Sequence, residues 1–325
     1  MYIYFLHRLA PPSLCPFLQS IGLVNSHARA CARTYGYTQP SAITLSADVA
    51  ARAAHWKSPK GAVVRMLHPA GWGGWAFEVE SIGNGGKTMN FSKGGNQEAR
   101  GNSGCGAYYV EGIAEELDAP GEWVIQGGKL LLIPPAGMTE AELQAATVEA
   151  PQLKTLIELR GTAAAPVVGV SFAGFNLTGS AQTFLESYEA PSGGDWSVHR
   201  GAAVFLQGAE NISFSGMRFD QLEGNGVFFS NHVKHSEVVD CDFWRTGDSA
   251  VLAVGSTKLS NATASEYPSL NTIARNWIDT LGVNMKQVST YSTVRYAVCR
   301  RLSRCCAAVL LCCCRPDNAL SVGWF

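Results

Sequence analysis

The stretch ISFSGMRFDQLEGNGVFF, from Ile212 to Phe229, matches the chain that follows it when it is shifted by 24 residues. The phrases VSFAGFNL (170–177) and IARNWIDTLG (273–282) have the same apolar pattern. Insertions separate these phrases at 180–201 and 256–271. The shift places apolar residues on apolar residues: Phe214 on Val238, Met217 on Cys241, Phe219 on Phe243, Val227 on Val251 and Phe229 on Ala253.

A period near 24 residues is the strongest indication of fold in this sequence. Short β-prone runs, apolar residues two apart, and Gly or Asn at the corners are typical of parallel β-helices. A leucine-rich repeat needs a regular Leu/Asn pattern, which is absent, and a β-sandwich does not need self-similar repeats. The sequence therefore predicts an all-β fold, a right-handed parallel β-helix of the pectate-lyase-like solenoid type, with an N-terminal β-rich capping region.

The remaining patterns predict four segments. Residues 1–40 are a leader or a wrongly assigned start, with Ala28-Arg29-Ala30 as a candidate signal-peptide cleavage site. Residues 41–165 are expected to form strands with two short helices, SADVAARAAHW and MTEAELQAATV, and a tight hairpin at Gly127-Gly128. Residues 166–289 form the coils, and 290–325 a tail outside the fold.

Composition limits the partners. The chain has 325 residues and a net charge of −1, so it lacks the basic patch expected of a nucleic-acid-binding protein. No apolar run reaches the roughly 20 residues needed to span a bilayer. We therefore expect neither nucleic acid nor a membrane span, no cofactor, and a monomer.

The tail differs from the rest of the chain in composition. Residues 290–325 contain six of the ten cysteines, five arginines and a single acid, Asp317. The cysteine spacing matches neither a CxxC metal pair nor a regular disulfide framework. A misread exon boundary or a frameshift explains this change best, although a palmitoylated or metal-binding tail is also rich in cysteine.

Several phrases resemble one known family. AARAAHWKSPKGAVVRMLHPAGWGGWAFEV, EELDAPGEW, VEAPQLKTLIELRG, DWSVHRGAAVFLQGAENISF, FDQLEGNGVFF and KQVS occur in order over residues 50–289. They are similar to β-helix proteins of glycoside hydrolase family 141, a set of α-L-fucosidase and xylanase-like proteins. The resemblance implies a polysaccharide or oligosaccharide substrate and a secreted or extracellular protein.

Family members continue past KQVS with further coils, and the resemblance implies that their main catalytic carboxylates lie there. We therefore expect this chain to be truncated and catalytically inactive as written.

Six residues are candidates for a sugar site. Asp248 is the best available catalytic carboxylate, and Asn225 and Asp248 lie at corners near the same end of the repeat. His199 and Arg200 precede a coil strand and can face a substrate or close a turn. Lys286 and Gln287 match the family's KQ phrase.

No metal site is expected. Asp240 and Asp242, with Asp248 or Asp220, offer oxygen ligands suited to Ca²⁺, but outward solvated carboxylates flanking an inward Cys241 are the favoured interpretation. His232 and His235 form HxxH outside a helix, which argues against zinc.

An acidic loop interrupts the N-terminal strands. Glu111, Glu115, Glu116, Asp118 and Glu122 surround one Pro-Gly corner. They are either an acid/base site or the rim of a turn. We favour the turn, with 118–121 reversing the chain and Trp123 anchoring the returning strand.

Three function classes remain open. The chain is a glycoside hydrolase-like protein with paired carboxylates, a polysaccharide lyase-type β-helix, or a non-catalytic β-helix that binds glycans or a surface. The lyase and polygalacturonase phrases NTD, DD, GHG and RIK are absent, which disfavours the second class.

The tail hypothesis is tested by sequencing the transcript across the Gln287 codon. We expect a message whose reading frame departs from the printed tail. A message that encodes this tail, together with turnover of a glycoside by the purified chain, would show that the hypothesis is wrong.

Overall fold

The computed structural model describes residues 39–67, 73–95, 107–189, 197–257 and 267–285, and the backbone of 4–6, 26–27, 30–31 and 291–294. The fold is mostly β, with 45% of the described residues in strands and 7% in helices. Neither described helix is long and apolar enough to cross a membrane. The chain forms two compact units, 1–151 with 184–198, and 152–183 with 199–325.

The first unit is built on a seven-stranded antiparallel sheet. Its elements are β1 (Tyr4–Leu6), β2 (Ser26–His27), β3 (Ala30–Cys31), β4 (Ala42–Thr44), α1 (Ala47–Ala53), β5 (Val63–Leu67), β6 (Gly74–Gly83), β7 (Thr88–Gly94), β8 (Ala107–Glu111), β9 (Trp123–Gln126), β10 (Lys129–Leu132), α2 (Glu140–Ala145) and β11 (Thr147–Glu149). The sheet has the order β2-β8-β5-β6-β7-β4-β3. Alternate residues of β5 and β8, such as Val64 and Val110, are buried with Val49 of α1.

Both predicted helices and the hairpin are present. α1 follows Ser46, whose side chain makes no capping hydrogen bond. α2 begins with the predicted capping box, in which Thr139 and Glu142 bond each other's backbone N–H. β9 and β10 pair antiparallel around Gly127 and Gly128, both at positive φ, as a two-residue hairpin requires.

The second unit contains three parallel sheets. Its strands are β12 (Ile157–Arg160), β13 (Val167–Val168), β14 (Ser171–Ala173), β15 (Asn176–Thr178), β16 (Val204–Glu210), β17 (Ser213–Ser215), β18 (Arg218–Leu222), β19 (Val227–Lys234), β20 (Glu237–Val239), β21 (Asp242–Thr246), β22 (Val251–Val254), β23 (Thr272–Ala274), β24 (Trp277–Asp279) and β25 (Tyr291–Val294). Sheet I has the order β12-β16-β19-β22-β25, with β13 also on β16; sheet II is β14-β17-β20-β23, and sheet III is β15-β18-β21-β24. The chain thus visits the three sheets in the same order several times.

The strand register confirms the 24-residue match. In sheet II, Phe214 pairs with Val238 and Val238 with Ile273. In sheet III, Phe243 pairs with Phe219 on one side and Ile278 on the other. All six belong to one core, and Phe214, Phe219, Val238 and Phe243 have no exposed surface. Each predicted column therefore stacks inward.

The corner between sheets II and III recurs with one backbone conformation. Gly216, Asp240 and Arg275 occupy equivalent positions with φ of 59°, 55° and 56°. This left-handed conformation lets the chain turn after three residues of strand and is unusual for non-glycine residues. The repeat is thus maintained by backbone geometry as well as by apolar residues.

The division between the units differs from the predicted boundary at residue 165. β12 pairs in parallel with β16, so the segment LKTLIELRG contributes to the first turn through the parallel sheets. Residues 184–198 belong to the first unit, with Glu189 and Val198 bridged antiparallel.

At the C-terminal end of the second unit, β25 pairs in parallel with β22, so sheet I continues past residue 289. Of the predicted leader, β2 and β3 pair at the two edges of the seven-stranded sheet, and β1 pairs with β11. Most of its other residues, and the tail after Val294, lie outside the described residues. The capping role of the N-terminal region stays a prediction.

Replacing Phe243 tests the inward column. Its ring stacks on Phe219 with centroids 4.4 Å apart, so we expect Phe243→Ala to cost about 3–5 kcal/mol of unfolding free energy. Phe243→Asp should prevent this repeat from folding, because an unpaired charge would be buried. Denaturant unfolding measures both, with the exposed Phe175→Ala as a control that costs about 1 kcal/mol or less. An unchanged midpoint for Phe243→Ala would contradict the packing.

Candidate functional site

Buried polar side chains concentrate where the chain passes from sheet III to sheet I. We call this region the Glu223 corner. Its strands β18, β21 and β24 all end there, which brings together residues from consecutive repeats. The corner consists of Ser180, Thr183, Glu223, Asn225, Thr246, Asp248, Ser249 and Asn284, all buried. Two predicted site residues, Asn225 and Asp248, belong to it.

Asn225 holds the corner together from the inside. Its side chain is fully buried, and Nδ2 donates to the carbonyls of His199 and Gly201 at 3.1 and 2.9 Å. Its Oδ1 accepts from the backbone N–H of Ser249 at 3.1 Å. These three hydrogen bonds use both amide protons and join the insertion to two repeats. Asn225 therefore has a structural role, because its side chain bonds the backbone of the protein itself.

Arg200 connects the end of the insertion to two later repeats. Nη1 donates to Ser230 Oγ at 2.9 Å and to the Val254 carbonyl at 3.3 Å, and Nη2 donates to the Gly255 carbonyl at 2.9 Å. The guanidinium also lies over Phe228, 5.6 Å from the ring centroid. These contacts are made to the protein itself, so Arg200 positions the chain that leads into β16.

His199 is half-buried and lies beside Gly201. A Cβ at Gly201 would approach His199 Nε2 to 2.7 Å, so the glycine makes room for the imidazole ring. The structure therefore brings His199, Arg200 and Asn225 together. Lys286 and Gln287 lie outside the described residues, and their predicted role stays a prediction.

Glu223 and Asp248 are the two carboxylates of the corner. The chain continues in register here, since Asp248 N–H donates to the Gly224 carbonyl at 3.2 Å. The two acids therefore come from consecutive repeats, with Gly247 opposite Glu223 and Asp248 one residue further along the chain. Only 4% of Glu223 and 7% of Asp248 is exposed.

Hydrogen bonds fix both carboxylates. Asn284 Nδ2 donates to Glu223 Oε2 at 2.8 Å and to the Glu223 carbonyl at 3.1 Å. Ser249 Oγ donates to Asp248 Oδ1 at 3.4 Å, and Thr246 Oγ1 to the Asp248 carbonyl at 2.8 Å. Glu223 is not among the site residues predicted from the sequence, although the phrase LEGNG sets an acid and two glycines at a predicted corner.

A buried hydroxyl at the corner has no partner in the described part of the chain. Thr183 is 3% exposed and its Oγ1 makes no hydrogen bond. The same atom lies 2.6 Å from where a Cβ would stand on Gly224, directly between Glu223 and Asn225 in sequence. Buried hydroxyls are normally paired. The hydrogen-bonding capacity of this hydroxyl is thus unused within the described residues.

The acidic loop of the first unit is structural, as predicted. Glu116 is buried and accepts from Trp56 Nε1 at 2.6 Å, and it forms an ion pair with Arg52. Arg65 Nε donates to both oxygens of Glu111 at 3.1 Å. Each carboxylate is thus neutralised by a neighbouring element of the same unit.

The turn itself is closed by Glu122. Its Oε2 accepts from the backbone N–H of Asp118 and Ala119 at 2.8 and 2.9 Å. Gly121 has φ of 90°, which allows the reversal. Trp123 is buried at the start of β9, which confirms it as the anchor of the returning strand.

The other candidate carboxylates face outward. Asp240 pairs with Arg275 at 2.6 Å, and this hydrogen bond lowers the pKa of the carboxyl. Asp242 is exposed, whereas Cys241 between them has no exposed surface, as predicted. His232 Nε2 lies 2.7 Å from Glu210. Within the described residues, no group of three or more His, Cys, Asp or Glu is arranged to hold a metal ion.

Comparison with solved structures gives a fold relative. A protein described as "Glycoside hydrolase" superimposes with a TM-score of 0.60 at 18% identity, over 81% of this chain and 53% of that one. This chain spans about half the length of that protein. No protein-family model matches the chain, and no curated protein does. At this identity the likeness shows a shared, glycoside hydrolase-like fold.

Replacing Asn225 tests its structural position. Asn225→Ala removes three hydrogen bonds from a buried corner, so we expect a loss of about 2–3 kcal/mol in unfolding free energy. Asn90→Ala, at an exposed amide that bonds Ser81, is the control and should change little. If Asn225→Ala left stability unchanged and weakened glycan binding, Asn225 would instead be a ligand-binding residue, as the sequence predicts.

Proposed function

We propose that this protein is a carbohydrate-active, glycoside hydrolase-like protein built on a right-handed parallel β-helix. The repeated passage through three parallel sheets with inward columns supports the β-helix. The fold shared with a glycoside hydrolase supports a carbohydrate ligand. Membership of family 141, secretion and a monomeric state belong to the same proposal and rest on the sequence.

The Glu223 corner is the proposed reaction site. The observation that favours it is the placement of two buried carboxylates on consecutive repeats beside an unpaired buried hydroxyl. Solenoid proteins usually bind ligands where insertions leave the repeat. The insertion that contains Thr183 leaves at this corner.

Two carboxyl groups at one corner suit hydrolysis of a glycosidic bond. One, as the acid, gives a proton to the leaving oxygen, and the other acts as nucleophile or activates a water, according to their separation. Asn284 donates to Glu223 Oε2, and Ser249 donates to Asp248 Oδ1. That further catalytic carboxylates lie in later coils remains the prediction made from the resemblance.

A non-catalytic glycan-binding protein is the second candidate. The observation in its favour is that Glu223 and Asp248 are hydrogen-bonded within the corner and are little exposed, as structural carboxylates often are. Such a protein would bind an oligosaccharide without breaking it. A lyase would instead produce an unsaturated sugar.

The carboxylate pair is tested with Glu223→Gln and Asp248→Asn, which preserve shape and remove charge. If the wild type releases reducing sugar from oligosaccharides derived from xylan or from fucosylated glycans, either variant should reduce this rate at least about 100-fold. Asp240→Asn, an exposed carboxylate at another corner, is the control and should retain the wild-type rate.

Three outcomes separate the function classes. Product release that survives both substitutions would refute the proposed site. Binding without product in the wild type would favour the second candidate and agree with the expected inactivity. A rise in ultraviolet absorbance from an unsaturated product would identify a lyase.

A further inference from the structure

The outward side of sheet III has an unusual composition. Because Phe219, Phe243 and Ile278 point into the core, the residues on either side of each point outward. We call this outward surface the Trp face. It comprises Arg218, Asp220, Asp242, Trp244, Trp277 and Asp279.

Two indole rings are placed diagonally on this face. Trp277 pairs across the strands with Asp242, and Trp244 pairs with Asp279. Each indole therefore has a carboxylate one strand spacing away, about 4.8 Å along the stack. Trp277 is 45% exposed, which is a large apolar surface to leave in water.

Charged groups hold Trp244 in place. The guanidinium of Arg218 lies 5.7 Å from its ring centroid, and that of Arg245 lies 5.8 Å away. Such cation–π contacts restrict the ring to one orientation. A rigid ring at a flat surface loses little entropy when a ligand stacks on it.

Asp220 holds Arg218 on the same face. Arg218 Nε and Nη2 both donate to Asp220 Oδ2, at 3.1 and 3.0 Å. The Asp220 side chain is 19% exposed, and its burial raises the pKa of the carboxyl, whereas the opposing effect of Arg218 is smaller. Through Arg218, Asp220 therefore helps to hold the ring of Trp244 in place.

We propose that the Trp face is a second glycan-binding surface, which takes a neutral oligosaccharide or polysaccharide lying across the repeats. A pyranose ring has an apolar C–H face that stacks on an indole and hydroxyls at its edge that bond carboxylates. The alternation of Trp and Asp matches that pattern. The proposal rests on the proposed function for the class of ligand but uses different residues.

The net negative charge of the Trp face favours a neutral glycan over an acidic glycan or a second copy of this protein. Three carboxylates on the face (Asp220, Asp242 and Asp279) outnumber the two guanidinium groups of Arg218 and Arg245. A chain of uronic acids would meet this excess of negative charge. A second copy of the face would set carboxylates against carboxylates. A neutral glycan would experience neither of these electrostatic repulsions.

The Trp face adjoins the Glu223 corner. Glu223 follows Asp220 by three residues, and Asp248 follows Trp244 by four. A glycan on the Trp face can therefore extend toward the corner. Binding at the face would keep a polysaccharide attached beside the proposed reaction site.

Affinity electrophoresis with neutral arabinoxylan, and with galactan as a second neutral probe, tests the proposal. Wild-type protein should be retarded by at least one of them. Trp277→Ala should raise the dissociation constant about tenfold, equivalent to about 1.4 kcal/mol, and Asp220→Asn should weaken binding in the same direction. Ile125→Ala removes a residue of similar exposure in the first unit and should bind as the wild type does.

The double variant Glu223→Gln/Asp248→Asn separates this proposal from the proposed reaction site. Retention that survives in this double variant and falls in Trp277→Ala supports the Trp face. Retention lost only in the double variant overturns the Trp face and leaves the corner. No retention by either neutral glycan overturns the Trp face and argues against a carbohydrate ligand altogether.

Two further results would also overturn it. Retention by polygalacturonate alone would show that the face does not select neutral sugars. A concentration-dependent dimer in size-exclusion chromatography that Trp277→Ala abolishes would show that a second copy covers the indole.

Discussion

The second unit depends on one constraint: inward side chains of successive repeats stack on each other, and this stacking fixes the register of the parallel strands. Phe172 stacks on Phe214 at 5.1 Å, and Phe219 on Phe243 at 4.4 Å, each pair nearly parallel. A shift of one residue would turn every inward side chain outward. Apolar burial therefore fixes which strand residues face each other, and the parallel hydrogen bonds follow.

Because the inward positions of the strands are apolar, the polar side chains that bond the backbone lie at the corners between the sheets. Where the chain leaves one sheet for the next, backbone groups lose strand partners and need side chains to replace them. Asn271 and Asn276 do this for Ser236 and Cys241, each bonding the backbone of the preceding repeat at 2.9 Å. Asn225 does the same between sheets III and I. The fold thus leaves the corners and the outward faces free to differ among proteins that share it.

Carboxylates in this chain differ in role because their partners differ. Glu116 is buried against a guanidinium and an indole N–H, which balance its charge within the first unit. Glu223 is equally buried, and the amide of Asn284 donates to its carboxylate. Ion pairs within the first unit therefore account for the acidic loop. The Glu223 corner instead combines two carboxylates from consecutive repeats with the Thr183 hydroxyl, which makes no hydrogen bond within the described residues.

The sequence by itself determined the repeat, the inward columns, the hairpin at Gly127-Gly128 and the capping box at Thr139, because periodicity and turn residues are local signals. It also indicated that the acidic loop is a turn. The tertiary structure decided that β12 joins the parallel sheets and that Asn225 bonds the protein. It also placed Glu223 and Asp248 at the same corner, on consecutive repeats. These depend on which atoms meet across repeats, and hydrogen-bond partners separated by 24 or more residues leave no local pattern to read.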